Sequence, residues 1–215
     1  MVMPANNTGI QVGYLAGRFP GSLGHLFSPG AERGPYQFMP YALDNGAYGA
    51  FAQGREWDEA AWLALLEWAR ISGQAPLWAL VPDVVGDRAA TLAQWEKYHH
   101  VARRCNWPLA FAVQDGMEPR DVPAGADVVF VGGSTDWKWS TYRMWCASFP
   151  RVHVGRVNTY GQLCKCAEAG AESVDGTGWF RGDQRQYRGL LRFLEEQAGV
   201  RRPHVQEVLW QGVAM

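Results

Sequence analysis

The sequence predicts an α/β fold in which helices connect the strands of a parallel sheet. Two observations predict it: seven short apolar runs each end in Gly, Asp or Asn, and helical patterns lie between several of them. Strands that alternate with crossover helices run parallel to one another. Seven strands fit a (β/α) barrel with a weak or missing eighth unit, and they also fit an open doubly wound sheet.

The predicted strands share a short length and a polar or glycine residue at the C-terminal end. They are Ile10–Gly17, Tyr41–Gly46, Leu77–Asp83, Leu109–Gly116, Val128–Gly133, Val152–Asn158 and Ser173–Gly178. The segment Phe19–Pro40 is rich in Gly and Pro and has no hydrophobic period. We therefore expect a long loop after the first strand, and loops of that length are often functional.

One helical pattern is marked at both of its ends. Between Trp62 and Ala69, four apolar residues follow the spacing i, i+3, i+4 and i+7, which gives the helix one apolar face. Asp58 is a suitable N-cap for it and Gly73 a suitable stop. Further helices are predicted over Arg88–Arg104, Ser140–Ala147, Tyr160–Ala169 and around Tyr187–Leu194.

Length and composition indicate a single domain over residues 1–215. Hydrophobic residues make up 47% of the chain and charged residues 19%, which suffices for a sizeable core and excludes wholesale disorder. The 20 basic and 21 acidic residues nearly cancel, so a nucleic-acid partner would have to be held by a local patch. No run approaches the roughly 20 apolar residues that span a bilayer, so no membrane partner is predicted.

The N-terminus and the cysteines indicate a cytoplasmic protein without a metal centre. Residues 1–8 have neither a basic flank nor an apolar run, so no signal peptide is predicted. The four cysteines are expected to be free thiols in a reducing compartment. Cys164 and Cys166 lack two further ligands nearby, so neither zinc nor another cofactor is predicted.

Chemistry-bearing side chains collect at the predicted strand ends, where a (β/α) barrel carries its active site. These residues are Asp44, Asp83, Gln114, Asp115, Gly132, Gly133, Arg156, Asn158 and Asp175. Asp and Asn are also common turn formers at such positions, so the whole set is stronger evidence for an active site than any single residue in it. No dinucleotide-binding or P-loop glycine motif occurs in the chain.

Two of these carboxylates suit exchange at the C1′ atom of a nucleoside. Asp175, in a Gly-containing strand end, could act as a nucleophile at an anomeric carbon, and Asp44 could supply the acid/base function. Asp83 and Gln114 have the donor and acceptor types that read a purine. The backbone N–H groups at 132 and 133 could contact a carbonyl oxygen of the base.

The order of these motifs resembles the tRNA-guanine (queuine) transglycosylases. The matching segments are Asp44-Asn-Gly-Ala-Tyr, Pro82-Asp83, Val113-Gln114-Asp115-Gly116, Val131-Gly132-Gly133, Val154-Gly155-Arg156 and Ser173-Val174-Asp175. The chain is more similar to the small relatives in phages and DNA-modification clusters, the DpdA-like branch. The resemblance covers roughly 41–179 and implies a (β/α)8 barrel that exchanges guanine in a polynucleotide for a 7-deazaguanine base.

The resemblance also implies a role for each matched residue. Asp175 matches the nucleophile that displaces guanine, and Asp44 matches the general acid/base. Asp83 and Gln114 match the residues that read the base, and the Gly-Gly segment matches one that contacts the purine. The substrate-binding candidates are Asp83, Gln114, Gly132, Gly133, Tyr48, Asp115, Arg156 and Asn158.

The chain departs from the tRNA enzymes at two points, and the first of them favours DNA as the substrate. Those enzymes carry a zinc site of Cys and His residues after the nucleophile, whereas here Cys164 and Cys166 precede Asp175 and no cysteine follows it. The zinc-bearing subdomain that helps to seat tRNA is therefore expected to be absent. Asn45 also stands where the tRNA enzymes usually have Ser.

Basic and aromatic residues provide candidates for nucleic-acid contacts. The segment 181–202 holds six arginines and three acidic residues, and Arg181, Arg185 and Arg188 are the predicted phosphate contacts. The alternative is a solvated helix face. Trp137 and Trp139 could stack on a base or pack at the barrel rim, and His25 is a lesser site candidate in the predicted long loop.

The sequence thus predicts a pentosyltransferase that acts on guanine in DNA more than in tRNA. Two alternatives stay open. One is a nucleoside or nucleotide N-glycoside hydrolase on the same barrel, since both reactions use a carboxylate pair. The other is a non-catalytic nucleic-acid-binding subunit, which would be expected to have a broken carboxylate set.

Overall fold

The computed structural model describes residues 1–30 and 36–200, and eight short parallel strands in them form a barrel. The strands are β1 (Val2–Pro4), β2 (His25–Phe27), β3 (Tyr41–Leu43), β4 (Ala79–Leu80), β5 (Leu109–Val113), β6 (Val128–Val131), β7 (Val152–Val154) and β8 (Ser173–Gly176). They follow one another around the sheet in chain order, and β1 pairs with β8.

The barrel closes between β1 and β2. Parallel bridges join Val2 to Leu23 and Ala5 to Leu26. The N–H of Val2 donates to the Ser22 carbonyl at 2.9 Å, and these contacts leave no open edge between the first two strands. A doubly wound sheet would reverse its strand order partway, so the closed sequential order identifies a (β/α)8 barrel.

Seven α-helices accompany the strands in the described residues. They are α1 (Ile10–Arg18), α2 (Ala47–Ala52), α3 (Glu59–Ile71), α4 (Arg88–Arg103), α5 (Thr135–Ser148), α6 (Tyr160–Glu168) and α7 (Gln184–Gln197). Two units are irregular. The connection from β5 to β6 contains only a short 3-10 turn at Pro119–Asp121, and the described part of the β2–β3 connection contains no helix. The expected (β/α) barrel is confirmed, and its irregularity lies in these two connections, since the eighth strand and the helix that follows it are both present.

Helix boundaries follow the capping residues. The Asp58 side chain accepts a hydrogen bond from the N–H of Ala61 and caps α3, whose apolar face is buried as predicted. Asp87 caps α4 through the N–H of Ala90. Helix α5 begins at Thr135 and not at the predicted Ser140, because Ser134 is its N-cap and accepts from the N–H of Trp137.

The first predicted strand, Ile10–Gly17, is wrong, because these residues form α1. Val12, Leu15 and Ala16 are buried on one face, whereas Ile10 is 86% exposed, which is a helical and not an alternating pattern. The predicted loop over 19–40 is wrong in part, because it contains β2. Strands β1 and β2 have three residues each and are buried throughout, so neither shows the alternation by which strands are predicted.

Apolar side chains fill the barrel on both sides of the sheet. The interior layer consists mainly of Met3, Leu26, Ala42, Trp78, Leu80, Ala110, Ala112 and Val128. Trp78 is fully buried there and contacts Phe130 and His153 edge-on. The lumen is therefore closed below the C-terminal strand ends. None of the helices in 1–30 and 36–200 combines the length and apolar character needed to cross a bilayer.

Candidate active site

The C-terminal strand ends surround one pocket of about 510 Å³, part of it open to solvent. The apolar side chains that line it are Leu26, Leu80, Val85, Ala112 and Phe130. Its other lining residues are Asp44, Asn45, Tyr48, Asp83, Gln114, Gly132, Gly133, Arg156 and Asp175. The structure thus brings together eight of the residues that the sequence singled out.

Asp175 lies on β8 with its side chain directed into the barrel and only 6% of the residue exposed. Its Oδ1 atom accepts hydrogen bonds from the backbone N–H of Arg156 at 3.2 Å and from Nε2 of His153 at 3.0 Å. Oδ2 accepts no hydrogen bond from any side chain or backbone group in the described part of the chain. One oxygen is therefore fixed by two donors, and the other is left to meet a ligand.

His153 is a site residue that the sequence analysis missed. It lies on β7, is fully buried, and stacks on Phe130 with the ring centroids 4.7 Å apart. With Nε2 donating to Asp175, Nδ1 accepts from the Ser173 hydroxyl, and the Nδ1–Oγ distance is 2.8 Å. A histidine in the otherwise apolar strand Val152–Val154, opposite Ser173 in the register, was the available signal.

Arg156 has a left-handed backbone, with φ at +58°. Such a conformation is uncommon for a residue with a Cβ atom and persists where the surroundings hold it. Here the guanidinium donates to the Gly133 carbonyl and lies 4.4 Å from the ring centroid of Tyr48. Arg156 therefore links β7 to β6 and α2 at the pocket rim, and its N–H is directed at Asp175.

Asp44 follows β3 on the opposite side of the pocket. Its Oδ2 accepts from the Ser28 hydroxyl at 2.9 Å, and its Oδ1 accepts from the N–H of Gly46 at 3.4 Å. Burial raises the pKa of the Asp44 carboxyl above its ordinary value, the nearby charge of Asp175 raises it further, and the bond from Ser28 opposes both. Asp44 is thus a carboxyl group suited to carry a proton.

Asp83 follows β4 and is held by two amides. Its Oδ1 accepts from Asn45 Nδ2 at 2.7 Å, and its Oδ2 accepts from Gln114 Nε2 at 2.6 Å. Burial raises the pKa of Asp83 to about 6, opposed by the bond from Asn45, and the charge of Asp44 adds to the rise. Each oxygen keeps a second lone pair for a ligand donor. Asn45, whose role the sequence did not assign, orients Asp83.

The Gln114 side chain can only donate to a ligand. Its Oε1 accepts from the N–H of Gly86 at 2.9 Å and of Gly133 at 3.2 Å, which occupies both lone pairs. The N–H of Gly132 donates to the Val113 carbonyl. Both glycine N–H groups therefore already donate within the protein, and in this arrangement neither is free for the predicted contact with a base.

Two predicted binding residues lie beside the pocket and do not line it. Both Asp115 carboxylate oxygens accept from Ser134, one from its N–H at 2.7 Å and one from its hydroxyl at 2.5 Å. Asn158 Oδ1 accepts from the N–H groups of Thr177 and Gly178, just beyond β8. Asp115 and Asn158 therefore fix the loops that follow β6 and β8, and the prediction that they bind substrate is not supported by their positions.

The predicted phosphate contacts lie at the start of α7, which begins at the pocket end of the barrel. Arg181, Arg185 and Arg188 are exposed and form no ion pair with a carboxylate of the described residues. Arg192, in contrast, pairs with Glu196 at 2.9 Å. Arg201 and Arg202, which the sequence analysis included in the patch, lie outside the described residues.

Three further candidates have packing roles. Trp137 packs against Trp145, with ring centroids 6.1 Å apart, and Trp139 packs against Tyr142. His25 is buried beside Phe27 and Tyr36 and is not among the residues that line the pocket. The packing alternative therefore applies to both tryptophans.

Metal-ligating residues do not cluster within 1–30 and 36–200: no three His, Cys, Asp or Glu side chains there could share an ion. Cys164 and Cys166 are free thiols on α6. Burial raises the pKa of Cys166 to about 12, which disfavours the thiolate that a metal would require.

Comparison with known proteins identifies the fold and no more. No protein-family model and no curated protein matches the chain. Among solved structures, the chain is similar to 3-hexulose-6-phosphate synthase from Salmonella typhimurium, with a TM-score of 0.53 and 12% sequence identity. The match covers 91% of this chain and 98% of the synthase. At this identity the likeness supports the barrel architecture and leaves the chemistry to the site itself.

Proposed function

We propose that this protein is a base-exchanging glycosyltransferase that replaces guanine in nucleic acid, DNA in preference to tRNA, by a 7-deazaguanine base. The observation that supports the proposal most is the meeting of Asp44, Asp83 and Asp175 in one pocket, each in a different environment. Asp175 has one oxygen without a donor, Asp44 is suited to hold a proton, and Asp83 accepts hydrogen bonds from two side-chain amides. Carboxylates with divided roles are what glycosyl transfer requires.

The first step forms a covalent adduct. Oδ2 of Asp175 attacks C1′ of the nucleotide, and the C1′–N9 bond breaks with its electron pair going to the guanine. Asp44 transfers its proton to the departing base, which leaves neutral. The raised pKa of Asp44 suits this donation because it keeps the carboxyl protonated closer to neutral pH.

The second step reverses the first with a different base. The incoming 7-deazaguanine gives its N9 proton to Asp44, and its N9 attacks C1′. The ester bond to Asp175 breaks, and the carboxylate leaves with the electron pair. Two displacements at C1′ retain its configuration, and the enzyme returns to its starting protonation state.

The proposed base recognition uses the donor hydrogens and acceptor lone pairs of the pocket that do not already have a hydrogen-bond partner within the protein. The ionised Asp83 can accept from N1–H and the amino group of guanine, and the free Nε2–H of Gln114 can donate to O6. Tyr48, 45% exposed above the pocket, offers a ring face for stacking. Guanine and 7-deazaguanine share this hydrogen-bonding edge, so the same residues accept both the outgoing and the incoming base.

The test is incubation of the protein with radiolabelled 7-deazaguanine and either DNA or tRNA, followed by nucleoside analysis of the polymer. Label in DNA, with guanine released in equal amount, is the expected result. Label in tRNA alone would identify tRNA, and not DNA, as the substrate. Released guanine without label would identify the hydrolase, and binding without release would identify the non-catalytic subunit.

Base affinity is expected to fall in acid because Asp83 must be ionised to accept from guanine. Below pH about 6 the Asp83 carboxyl gains a proton, and the Kd for guanine should rise by about tenfold per pH unit. Calorimetric titration between pH 5 and 8 measures this effect. The Asp83→Asn variant should bind weakly and without that pH dependence, and a constant Kd in the native protein would contradict the role of Asp83.

Charge reversal at the start of α7 is expected to weaken polynucleotide binding alone. Arg185→Glu and Arg188→Glu should each lower the slope of log K against log salt by about one. Arg104→Glu is the matched control, because this exposed arginine follows α4 at the opposite end of the barrel. Equal losses in all three variants would indicate a general charge effect and no phosphate site on α7.

A further inference from the structure

Lys138 on α5 is a buried cation without a carboxylate partner among the described residues. It is 1% exposed, and its Nζ donates to the Gly155 carbonyl at 2.6 Å and to the Arg156 carbonyl at 3.4 Å. Its ammonium also lies 5.1 Å from the ring centroid of Trp139. Lysine is almost never fully buried unless it is paired with an acid, so the burial of Lys138 requires a structural or functional explanation.

The reason lies in the peptide group that Lys138 contacts. The Gly155 carbonyl and the Arg156 N–H belong to one peptide unit. That carbonyl accepts from Lys138, and that N–H donates to Oδ1 of Asp175. Hydrogen bonds in series polarise one another in a low-dielectric interior, so the lysine charge strengthens the N–H donor that reaches the carboxylate.

We infer that Lys138 is a positioning residue that acts through the Gly155–Arg156 peptide to stabilise the negative charge on Asp175. It also fixes the left-handed backbone at Arg156, because the two carbonyls it holds flank that residue. The inference rests on the proposed function for the role of Asp175 as nucleophile. The electrostatic link between Lys138 and Asp175 can be measured without catalysis.

The charged and titratable groups around this link come from several elements. His153 from β7, Arg156 from the loop after β7 and Asp44 from the loop after β3 surround Asp175. Arg156 and the Cys166 thiol of α6 face Lys138. Burial and the Arg156 charge lower the pKa of Lys138 to about 8, and the Asp175 charge opposes this fall. Lys138 therefore titrates in an accessible range.

The first experiment follows the titration of Lys138 by NMR in the native protein and in Asp175→Asn. Asparagine keeps an oxygen for the His153 and Arg156 donors and removes only the charge. The pKa of Lys138 should lie at about 8 in the native protein and be lower by about half a unit or more in the variant. Identical titrations would overturn the inference whatever the catalytic activity of the protein.

The second experiment compares Lys138→Met with Lys138→Arg in single-turnover formation of the adduct. The methionine variant should lose about tenfold or more in rate with unchanged base affinity. The native rate is expected to fall above pH about 8, where Lys138 loses its proton, and this fall should be absent in the methionine variant. The arginine variant should recover most of the rate.

A purely structural role would give a different pattern. Both variants would then lose activity together with thermal stability, and the pH profile of the methionine variant would keep the native shape, which would overturn the inference. A native protein that forms no adduct would overturn the proposed function. In that case the NMR titration alone would support or overturn the link between Lys138 and Asp175.

Discussion

Replacing Asp175 by asparagine is expected to abolish the proposed base exchange, with a loss of about 10⁴-fold or more in the rate of adduct formation. The amide oxygen can still accept from His153 and from the N–H of Arg156, so the fold and the pocket remain. What the variant lacks is the anionic oxygen that we propose attacks C1′. Mass spectrometry of the quenched protein should detect the sugar adduct in the native chain and not in Asp175→Asn.

Two measurements test whether Asp175→Asn loses activity through misfolding or through weaker base binding. Its melting temperature should stay within a few degrees of the native value, and its affinity for free guanine should persist, because Asp83 and Gln114 are untouched. Exchange above one percent of the native rate would require a nucleophile other than Asp175.

Replacing Asp44 by asparagine removes the proposed proton donor and is expected to slow adduct formation by about 10²–10⁴-fold on DNA that contains guanine. The loss should depend on the leaving group. A 7-methylguanine base carries a positive charge and departs without receiving a proton, so Asp44→Asn should recover most of its activity on this substrate. Single-turnover rates on the two substrates measure the effect.

The Asp175→Asn variant is the matched control for that comparison, since no leaving group compensates for a missing nucleophile. Equal losses for Asp44→Asn on guanine and 7-methylguanine would assign Asp44 a role in the placement of Asp175 or of the sugar. In the native protein the Ser28 hydroxyl donates to Asp44 and holds its carboxyl in place. We do not expect Ser28 to replace Asp44 as the proton donor in the variant.

The central part of the site could be predicted because parallel barrel strands end at one edge. Asp44, Asp83, Gln114 and Asp175 each follow or end a recognisable apolar run, and closure of the barrel alone brings them together. The sequence does not indicate which way neighbouring side chains point. Gln114 and Asp115 are adjacent, yet one points into the pocket and the other to the start of α5.

What the sequence could not predict depends on register and on buried polar groups. His153 contacts Asp175 only because β7 and β8 pair with His153 opposite Ser173. From the sequence alone, a lysine in a helix is expected at the surface. The structure instead buries Lys138, with its Nζ donating to the Gly155 carbonyl. Strands β1 and β2 escaped prediction because three buried residues carry no periodicity.

The aromatic filling of the barrel interior limits how far a ligand can enter. Trp78 and Phe130 pack against His153, which in turn contacts Asp175, so this aromatic layer closes the space behind the carboxylate. Under the proposed function, a site closed in this way would admit a single everted base while the sugar–phosphate chain stays outside. Polymer length is then no obstacle, because the nucleotides on either side need not enter the barrel.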